Sequence, residues 1–539
     1  MVEHLSQGRR PYLLLLALAL MFFLPGLVNL PPIDRDESRF AQASRQMLES
    51  GDFVRINFQA ESRAKKPVGI YWMQAASAGL TQAESAIWAY RLPSVLGALA
   101  AVVFTFHFGR RLFGAPAALT GAALLTASLI LIAEAHQAKT DAMLLACITA
   151  AQGVLGQFYL AQSGGNCRRP GQSAILLFWL AQGIGILIKG PIVPLISLLT
   201  LASLWAADRR IRWLTGIRPF SGLLLVAAIV APWFAAVTSA TQGQFIGQAV
   251  KSDLLPKLLG AQESHGAPPG YFLLLATATL WPAAMFAFPG LIRAFQTRQA
   301  ASLRFCLAWI LPAWLLFELV PTKLPHYILP TYPPLALLAG LIVTTGDDIL
   351  KSGWARLFYC LSAAVGLLLA GGAMILPLLY GDGPGWFAGL AACGALIAAI
   401  APAVLAWRQK YQGAVVAAIG GALLCFGCIY QGVLPQLDSL WLSQRVVAHL
   451  EPGTPLVAAG FHEPSLVFLG GTATLLTDGK SAAHFLAATP KAVAVVEAEA
   501  LADFSAEMAA LGHPVQQIAQ VNGYNYSRGR TARLSLWRE

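Results

Sequence analysis

Two acids and two lysines lie within one charged stretch that directly follows an apolar run. Asp36 and Glu37 are adjacent, and a carboxylate at such a place can act as a general base toward the hydroxyl of a sugar or another acceptor. Lys65 and Lys66 follow in the same stretch, where two ammonium groups would meet a lipid phosphate at the membrane surface. The residue types therefore suit group transfer that involves a lipid-linked phosphate.

The same residues also allow a purely structural interpretation. Asp34 and Glu37 have the spacing of a helix capping box, and Gly51 can end the helix that it starts. Lysines at an interface commonly extend to the lipid headgroups as simple anchors. Asp36 has no role in this alternative, which predicts a capped amphipathic helix lying on the membrane.

The rest of the chain predicts a polytopic all-α membrane protein. Of its 539 residues, 57% are hydrophobic and only 12% are charged, about half the charged share of a soluble domain. Thirteen apolar runs have the length or composition of membrane spans. They are 11–30, 86–108, 116–133, 142–162, 174–188, 190–206, 219–238, 271–292, 305–320, 328–345, 357–380, 386–406 and 413–434.

The distribution of basic residues orients these runs. With Arg9 and Arg10 inside, most loop arginines fall on the inner side, as the positive-inside rule requires. The net charge of +11 is spread among loops, which disfavours nucleic acid as a partner. Several outer-loop lysines break the bias, and a shared anionic ligand would explain them. They are Lys65, Lys66, Lys139, Lys189, Lys251, Lys257 and Lys323.

The composition changes after Leu434, which predicts two domains. Residues 1–434 form the transmembrane domain, with outer interfacial helices at 34–80. Residues 435–539 form a small periplasmic α/β domain, with short strands at Leu456–Ala459, Leu466–Leu469 and Ala492–Val496 and a helix at Ala498–Leu511.

Several motifs along residues 10–345 resemble, in the same order, the aminoarabinose transferases that modify lipid A. These are relatives of the protein O-mannosyltransferases, and both are membrane glycosyltransferases of the GT-C class. The motifs are Asp36-Glu37-Ser38-Arg39, Gly51-Asp52, Lys66-Pro67, Tyr71-Trp72-Met73, Lys139-Thr140-Asp141, Lys189-Gly190, Pro232-Trp233, His265 and Thr322-Lys323-Leu324-Pro325-His326-Tyr327.

The resemblance implies a GT-C fold and transfer of a sugar from a polyprenyl-phosphate donor on the periplasmic face of the bacterial inner membrane. Lipid A or another envelope glycolipid is the expected acceptor, and a monomer is expected. The implied catalytic residues are Asp36, Glu37 and Asp141. The implied donor-phosphate residues are Arg39, Lys65, Lys66, Tyr71, Lys189, Lys323 and Tyr327.

One position departs from the resembled enzymes. They have a glutamate directly before the phosphate-binding lysine, and it shares a metal site with a histidine that His265 matches. Lys65 stands at that glutamate position, so we expect no required cofactor, although a divalent metal at His265 stays open. A lysine that faces the sugar would favour a negatively charged sugar over a cationic one, whereas a lysine that faces the lipid phosphate would leave the choice of sugar open.

Two other functions fit parts of the pattern. A protein O-mannosyltransferase shares the donor chemistry, but such enzymes carry long luminal insertions between spans. A polytopic transporter for an anionic lipid or solute could use the same outer lysines as its binding site. Inverted repeats would support the transporter, and the sequence shows none.

Overall fold

The computed structural model describes residues 5–163, 169–210, 212–248 and 267–539. Helices dominate the first 434 residues because most segments there are continuous apolar runs whose backbone polar groups must bond within the segment. Their bounds are Arg10–Phe23, Asp36–Ser50, Gly69–Thr81, Ile87–Phe113, Ala115–Thr126, Leu129–Ala135, Asp141–Gln162, Gln172–Lys189, Ile192–Asp208, Pro219–Ala240, Gln244–Gln248, Tyr271–Thr279, Ala284–Gln296, Ala301–Leu319, Tyr332–Thr345, Gly353–Tyr380, Trp386–Trp407 and Tyr411–Cys428.

Nine helices in the described ranges are long and apolar enough to cross a membrane. The pair Ala115–Thr126 and Leu129–Ala135, bent by 62°, would be a tenth span if it crosses as one unit. This number of apolar helices makes the chain a multi-pass membrane protein. A count of thirteen crossing helices stays a prediction.

Every predicted run contains helix, but not every run is one continuous α-helix. The run 11–30 is helical only to Phe23, and a Pro25-Gly26 step follows that end. The run 271–292 is divided between Tyr271–Thr279 and Ala284–Gln296. A hydropathy window counts apolar residues, but it does not register where proline or glycine interrupts the backbone.

Two helices flank the Lys189-Gly190-Pro191 step and form an antiparallel hairpin. Gly190 has a left-handed φ of +67°, and the helices on either side are Gln172–Lys189 and Ile192–Asp208. Gln182 Nε2 donates to Ser197 Oγ at 2.9 Å. These two residues lie at nearly equal distances along the sequence before and after Gly190, as expected for two antiparallel helices. The step thus separates two helices and does not kink a single one.

The last hundred residues form a five-stranded mixed sheet with helices. Its strands are Leu456–Ala459 (β3), Leu475–Thr477 (β4), Val493–Glu497 (β5), Gln516–Asn525 (β6) and Arg530–Arg538 (β7), after a short pair Asn57–Phe58 (β1) and Glu61–Ser62 (β2) earlier in the chain. The strand order is β4-β3-β5-β7-β6, where β3 runs parallel to β4 and β5, and β7 runs antiparallel to β5 and β6. The helices are Leu442–Val447, Pro464–Gly470, Gly479–Ala488 and Leu501–Leu511.

The strand predicted at Leu466–Leu469 is wrong, because this segment lies in the helix Pro464–Gly470. Four consecutive apolar residues do not distinguish a buried strand from one turn of buried helix. Pro464 at the first helical position favours the helix, and Phe468 packs edge-on against Tyr90 of the transmembrane part.

The terminal sheet unit rests on the helix Asp36–Ser50. Gln42 Nε2 donates to Thr472 Oγ1 at 2.6 Å, and Arg45 Nη1 donates to the Phe468 carbonyl at 2.9 Å. The turn between β6 and β7 also reaches the residues that precede this helix. The start of the charged stretch is therefore held between the apolar helices and the terminal unit.

Candidate active site

A cavity of about 560 Å³ opens where the charged stretch meets the ends of several apolar helices. Its walls come from six parts of the chain. The lining residues are Asp34, Arg35, Asp36, Glu37, Arg39, Phe40, Arg63, Lys65, Lys66, Ile130, Ala133, Glu134, Gln137, Lys139, Thr140, Asp141, Lys189, Thr322, Leu324, Pro325, His326, Tyr327, Tyr526 and Ser527.

The predicted capping box does not form. The helix begins at Asp36 after Arg35, which has a left-handed φ of +67° and caps nothing with its side chain. Asp34 Oδ1 instead accepts the amide of Ser465 at 2.9 Å, and the Asp34 amide donates to the Tyr526 hydroxyl at 2.7 Å. Contacts with the terminal unit have replaced the local cap, although the helix does end at Gly51 as predicted.

Glu37 is buried in an ion pair with Arg91. The guanidinium donates to both carboxylate oxygens at 2.8 and 2.9 Å and also to three backbone carbonyls of residues 27–31. The same carboxylate accepts the amides of Ile33 and Ala138, each at 2.8 Å. Both oxygens of Glu37 therefore form hydrogen bonds that tie the loops at Ile33 and Ala138 to Arg91 of the helix Ile87–Phe113.

Asp36 has a different environment from its neighbour Glu37. Its side chain is exposed in the cavity, and it makes no hydrogen bond within the described ranges. Burial tends to raise the pKa of Asp36, but the positive charges of Lys139 and Arg63 outweigh that effect and hold the pKa below its usual range. The Asp36 carboxylate is therefore ionised at neutral pH and accessible to a ligand.

A group of cations lines another part of the same wall. Lys65 is exposed and Lys66 is half-buried, and both line the cavity together with Arg39. Arg63 is buried, donates from Nε to the Tyr71 hydroxyl at 3.2 Å, and lies over the Phe40 ring. Tyr71 is buried and does not line the cavity, so its predicted contact with the donor phosphate is wrong. It instead accepts the hydrogen bond from Arg63, which lines the cavity.

Asp141 and Lys189 form an ion pair beside a second pair, Glu134 and Lys139. Lys189 Nζ lies 2.5 Å from Asp141 Oδ1, and Lys139 Nζ lies 3.1 Å from Glu134 Oε1. His326 lies between them, with Nδ1 3.6 Å from Glu134 and Nε2 3.7 Å from Asp141. This arrangement brings three separate helix ends together through charges that are mostly buried.

The remaining predicted donor residues divide between two positions. Tyr327 lines the cavity, where its ring lies beneath Lys189 Nζ at 5.6 Å. Lys323 is buried, donates to the Val320 carbonyl at 2.9 Å and does not line the cavity, although Thr322 and Leu324 do. The motif is at the site, but its lysine is directed to the backbone of its own loop.

A metal ion fits these residues poorly. Glu134, Asp141 and His326 each bring one ligand atom within 4.8 Å of the others, but the two carboxylates already hold lysine ammonium groups. Lys65 lines the cavity at the glutamate position of the resembled metal pair, and an ammonium is not a metal ligand. His265, Lys251 and Lys257 lie outside the described residues.

Sequence reasoning missed several residues that line the cavity. Arg35, Arg63 and Glu134 belong to none of the motifs found in the sequence, whereas Lys139 belongs to the motif Lys139-Thr140-Asp141. The topology exception at Lys139 was the available signal, since a lysine in an outer loop required a local partner. No signal in the sequence placed Tyr526 near Asp34, because 492 residues separate them.

The chain is similar to several known membrane glycosyltransferases. Residues 65–235 match the family described as dolichyl-phosphate-mannose-protein mannosyltransferase. An undecaprenyl phosphate-α-4-amino-4-deoxy-L-arabinose arabinosyl transferase of Pseudomonas aeruginosa is 30% identical over 331 residues, which cover 61% of this chain and 58% of that one. The corresponding enzyme of Aeromonas salmonicida is 28% identical, covering 63% and 60%.

The crystal structure of ArnT from Cupriavidus metallidurans bound to undecaprenyl phosphate superposes with a TM-score of 0.76. The match covers 98% of each chain at 21% identity. The chain has the ArnT fold. The predicted resemblance to the aminoarabinose transferases is confirmed, while in sequence the chain spans about 58 to 60% of the length of the curated relatives that it matches.

Proposed function

We propose that this chain is a glycosyltransferase that moves a sugar from a polyprenyl-phosphate donor to lipid A or another envelope glycolipid. The observation that carries the proposal is one cavity that combines the accessible carboxylate of Asp36 with an excess of fixed positive charge. The similar arabinosyl transferases are named for an undecaprenyl-phosphate donor, and ArnT with the same fold was crystallised with undecaprenyl phosphate.

The charge balance of the cavity favours anionic ligands. Seven arginines and lysines line it against five acids, and three of those acids are held in ion pairs by Arg91, Lys139 and Lys189. Among the described lining residues, five cations and the two acids Asp34 and Asp36 lie outside these three ion pairs. A lipid phosphate placed among Arg63, Lys65 and Lys66 would be held by charge-assisted hydrogen bonds.

Transfer breaks the bond between the anomeric carbon and the phosphate oxygen. An acceptor oxygen attacks that carbon, and the bonding electrons leave with the polyprenyl phosphate, which gains negative charge. Fixed ammonium and guanidinium groups stabilise this charge more strongly in the transition state than in the ground state. Lys66 and Arg63 are our candidates for this role.

Asp36 is best suited to orienting the acceptor. A carboxylate whose pKa lies below its usual range is a weak base, so it accepts an acceptor proton only as the new bond forms. A phosphate acceptor is already ionised and needs no base at all. Glu37 holds the loop on which Asp36 stands, and we therefore assign it a positioning role.

We infer the orientation from the positive-inside rule. Arg91 is at the cavity end of the helix Ile87–Phe113, and Arg111 lies twenty residues further, about 30 Å along the axis at 1.5 Å per residue. Placing Arg110 and Arg111 in the cytoplasm puts the cavity and the terminal unit in the periplasm. We propose the bacterial inner membrane as the location, with a monomer as the active form.

Mass spectrometry of transfer products tests the function. Purified chain in proteoliposomes would receive undecaprenyl phosphate-α-4-amino-4-deoxy-L-arabinose and lipid A, and a second reaction would contain a membrane-protein extract as acceptor. We expect lipid A to gain the sugar mass, and both Asp36→Asn and Lys66→Ala to abolish that gain at normal expression. Sugar on protein alone would indicate the mannosyltransferase-like alternative, and near-normal turnover in both variants would overturn the site.

The sugar can be identified in cells. Envelope lipids from cells with and without the chain would be compared by mass, which reports sugar and acceptor together. An acidic sugar would fit the lysine at position 65, whereas a cationic sugar would show that Lys65 faces the lipid phosphate.

A further inference from the structure

One carboxylate oxygen of Glu134 has no partner. Glu134 lies in the last turn of the helix Leu129–Ala135 and is only 2% exposed. Its Oε1 accepts from Lys139 Nζ at 3.1 Å, whereas its Oε2 is buried without a hydrogen bond to any described residue. Buried carboxylate oxygens are normally satisfied, so an open one on a cavity wall points to a ligand.

The two other buried acids of this wall are satisfied. Asp141 accepts from Lys189 at Oδ1 and from the Thr140 hydroxyl at Oδ2, at 2.5 and 3.2 Å. Glu37 has both oxygens engaged by Arg91 and by backbone amides. Of these three acids, Glu134 alone keeps an acceptor for a group that enters the cavity.

The chemistry of this position selects the kind of ligand. An oxygen of a carboxylate repels the anionic phosphate of a lipid but accepts a hydrogen bond from a hydroxyl or an amino group. Lys139 compensates the charge of Glu134, so the ligand need not be a cation. The uncharged or amino-bearing part of the donor is its sugar, while the phosphate suits the cations of residues 63–66.

We propose that Glu134 is a sugar-recognition residue whose Oε2 accepts a hydrogen bond from a hydroxyl or amino group of the transferred sugar. The inference rests on the proposed function, because it requires a lipid-linked sugar in this cavity. Glu134 and Gln137 then define a sugar subsite on the opposite side of the anomeric carbon from the phosphate.

Comparing two lipids separates sugar recognition from phosphate binding. The full-length chain in detergent would be titrated with undecaprenyl phosphate and with undecaprenyl phosphate-α-4-amino-4-deoxy-L-arabinose. We expect Glu134→Ala to weaken binding of the sugar-bearing lipid about tenfold, as loss of a hydrogen bond to a charged group does. Binding of undecaprenyl phosphate should be unchanged.

Two further variants complete the test. Glu134→Gln keeps the size of the side chain and one acceptor oxygen, so it should lose less affinity for the sugar-bearing lipid than the alanine variant. It also provides the test if the alanine variant does not fold. Glu318→Gln removes another buried glutamate, which accepts the amides of Gly270 and Phe272 outside the cavity lining, and should leave both affinities unchanged.

The outcomes distinguish the inference from the function that it refines. Equal losses for both lipids, or no loss for either, would overturn the sugar role of Glu134 while leaving the glycosyltransferase proposal intact. A wild-type chain that binds only undecaprenyl phosphate would overturn the inference for this sugar. A wild-type chain that binds neither lipid would overturn both proposals.

Discussion

Breaking the ion pair between Glu37 and Arg91 should lower the stability of the fold, and sugar transfer should fall as a consequence. Arg91 is fully buried and Glu37 is 1% exposed, so removing one partner leaves the other charged and without compensation. Removing one member of a buried pair costs about 3–5 kcal/mol. Glu37→Gln keeps the size of the side chain, and its effect should lie within that range.

The hydrogen bonds around the pair support this magnitude. Arg91 satisfies three backbone carbonyls at residues 27–31, and Glu37 satisfies two backbone amides. Each group left unsatisfied in a buried site costs about 1–3 kcal/mol. Replacing both residues by apolar ones would still expose these five backbone groups to an apolar environment, so the double variant should not recover the wild-type stability.

Thermal unfolding followed by tryptophan fluorescence measures the effect at a fixed detergent and scan rate. We expect Glu37→Gln and Arg91→Met to lower the Tm by several degrees and to reduce sugar transfer in parallel. Asp36→Asn is the matched control, because the carboxylate of Asp36 is exposed, unlike that of Glu37. This substitution should abolish transfer without moving the Tm. A Glu37→Gln variant with an unchanged Tm and no transfer would refute the positioning role and make Glu37 catalytic.

Three further outcomes are expected. Burial raises the pKa of Asp34 to about 7, so the native state keeps a proton that the unfolded chain releases near pH 4. The free energy of unfolding therefore falls as the pH rises from about 4 to 7, and Asp34→Asn should raise the Tm more at pH 8 than at pH 5. A difference in Tm that does not change with pH would contradict this. Tyr526→Phe removes the hydroxyl that accepts the Asp34 amide and should lower the free energy of unfolding by about 1 kcal/mol. Tyr524→Phe, in the preceding strand, is the control and should lower it less. Equal Tm values for the two variants would contradict the contact. Treatment with a chelator should leave sugar transfer unchanged, because Lys139 and Lys189 already compensate the charges of Glu134 and Asp141. Stoichiometric bound metal whose removal stops transfer would contradict this expectation.

The hydrophobic runs and the positions of the charges in the sequence were sufficient to predict the membrane helices and an anionic ligand. Long apolar runs can only be helices in a membrane, since no other segment satisfies its own backbone polar groups there. The charged stretch after the first run had to lie at the surface, and the excess of outer lysines indicated an anionic ligand. The structure brings Asp36, Lys65, Lys66 and Asp141 to one cavity from positions far apart in the sequence.

The tertiary structure separated residues that look equivalent in sequence. Asp36 and Glu37 are adjacent acids, yet one is exposed in the cavity and the other is buried against Arg91, because consecutive helical residues face different directions. Lys323 and Lys189 both break the topology bias, but only Lys189 lines the cavity. Side-chain direction depends on where a helix or loop packs, and the spacing of motifs carries no such information.

The role of the terminal unit was likewise decided only by packing. Its short apolar runs predicted an α/β unit, but the contacts of Tyr526 and Ser465 with Asp34 span more than 400 residues of sequence. Those contacts displaced the capping box that the local sequence favoured, because a well-packed tertiary partner outweighs a cap of about 1 kcal/mol. The sequence by itself thus determined the membrane helices and the charges at their ends, and the tertiary structure decided which of those charges meet a ligand.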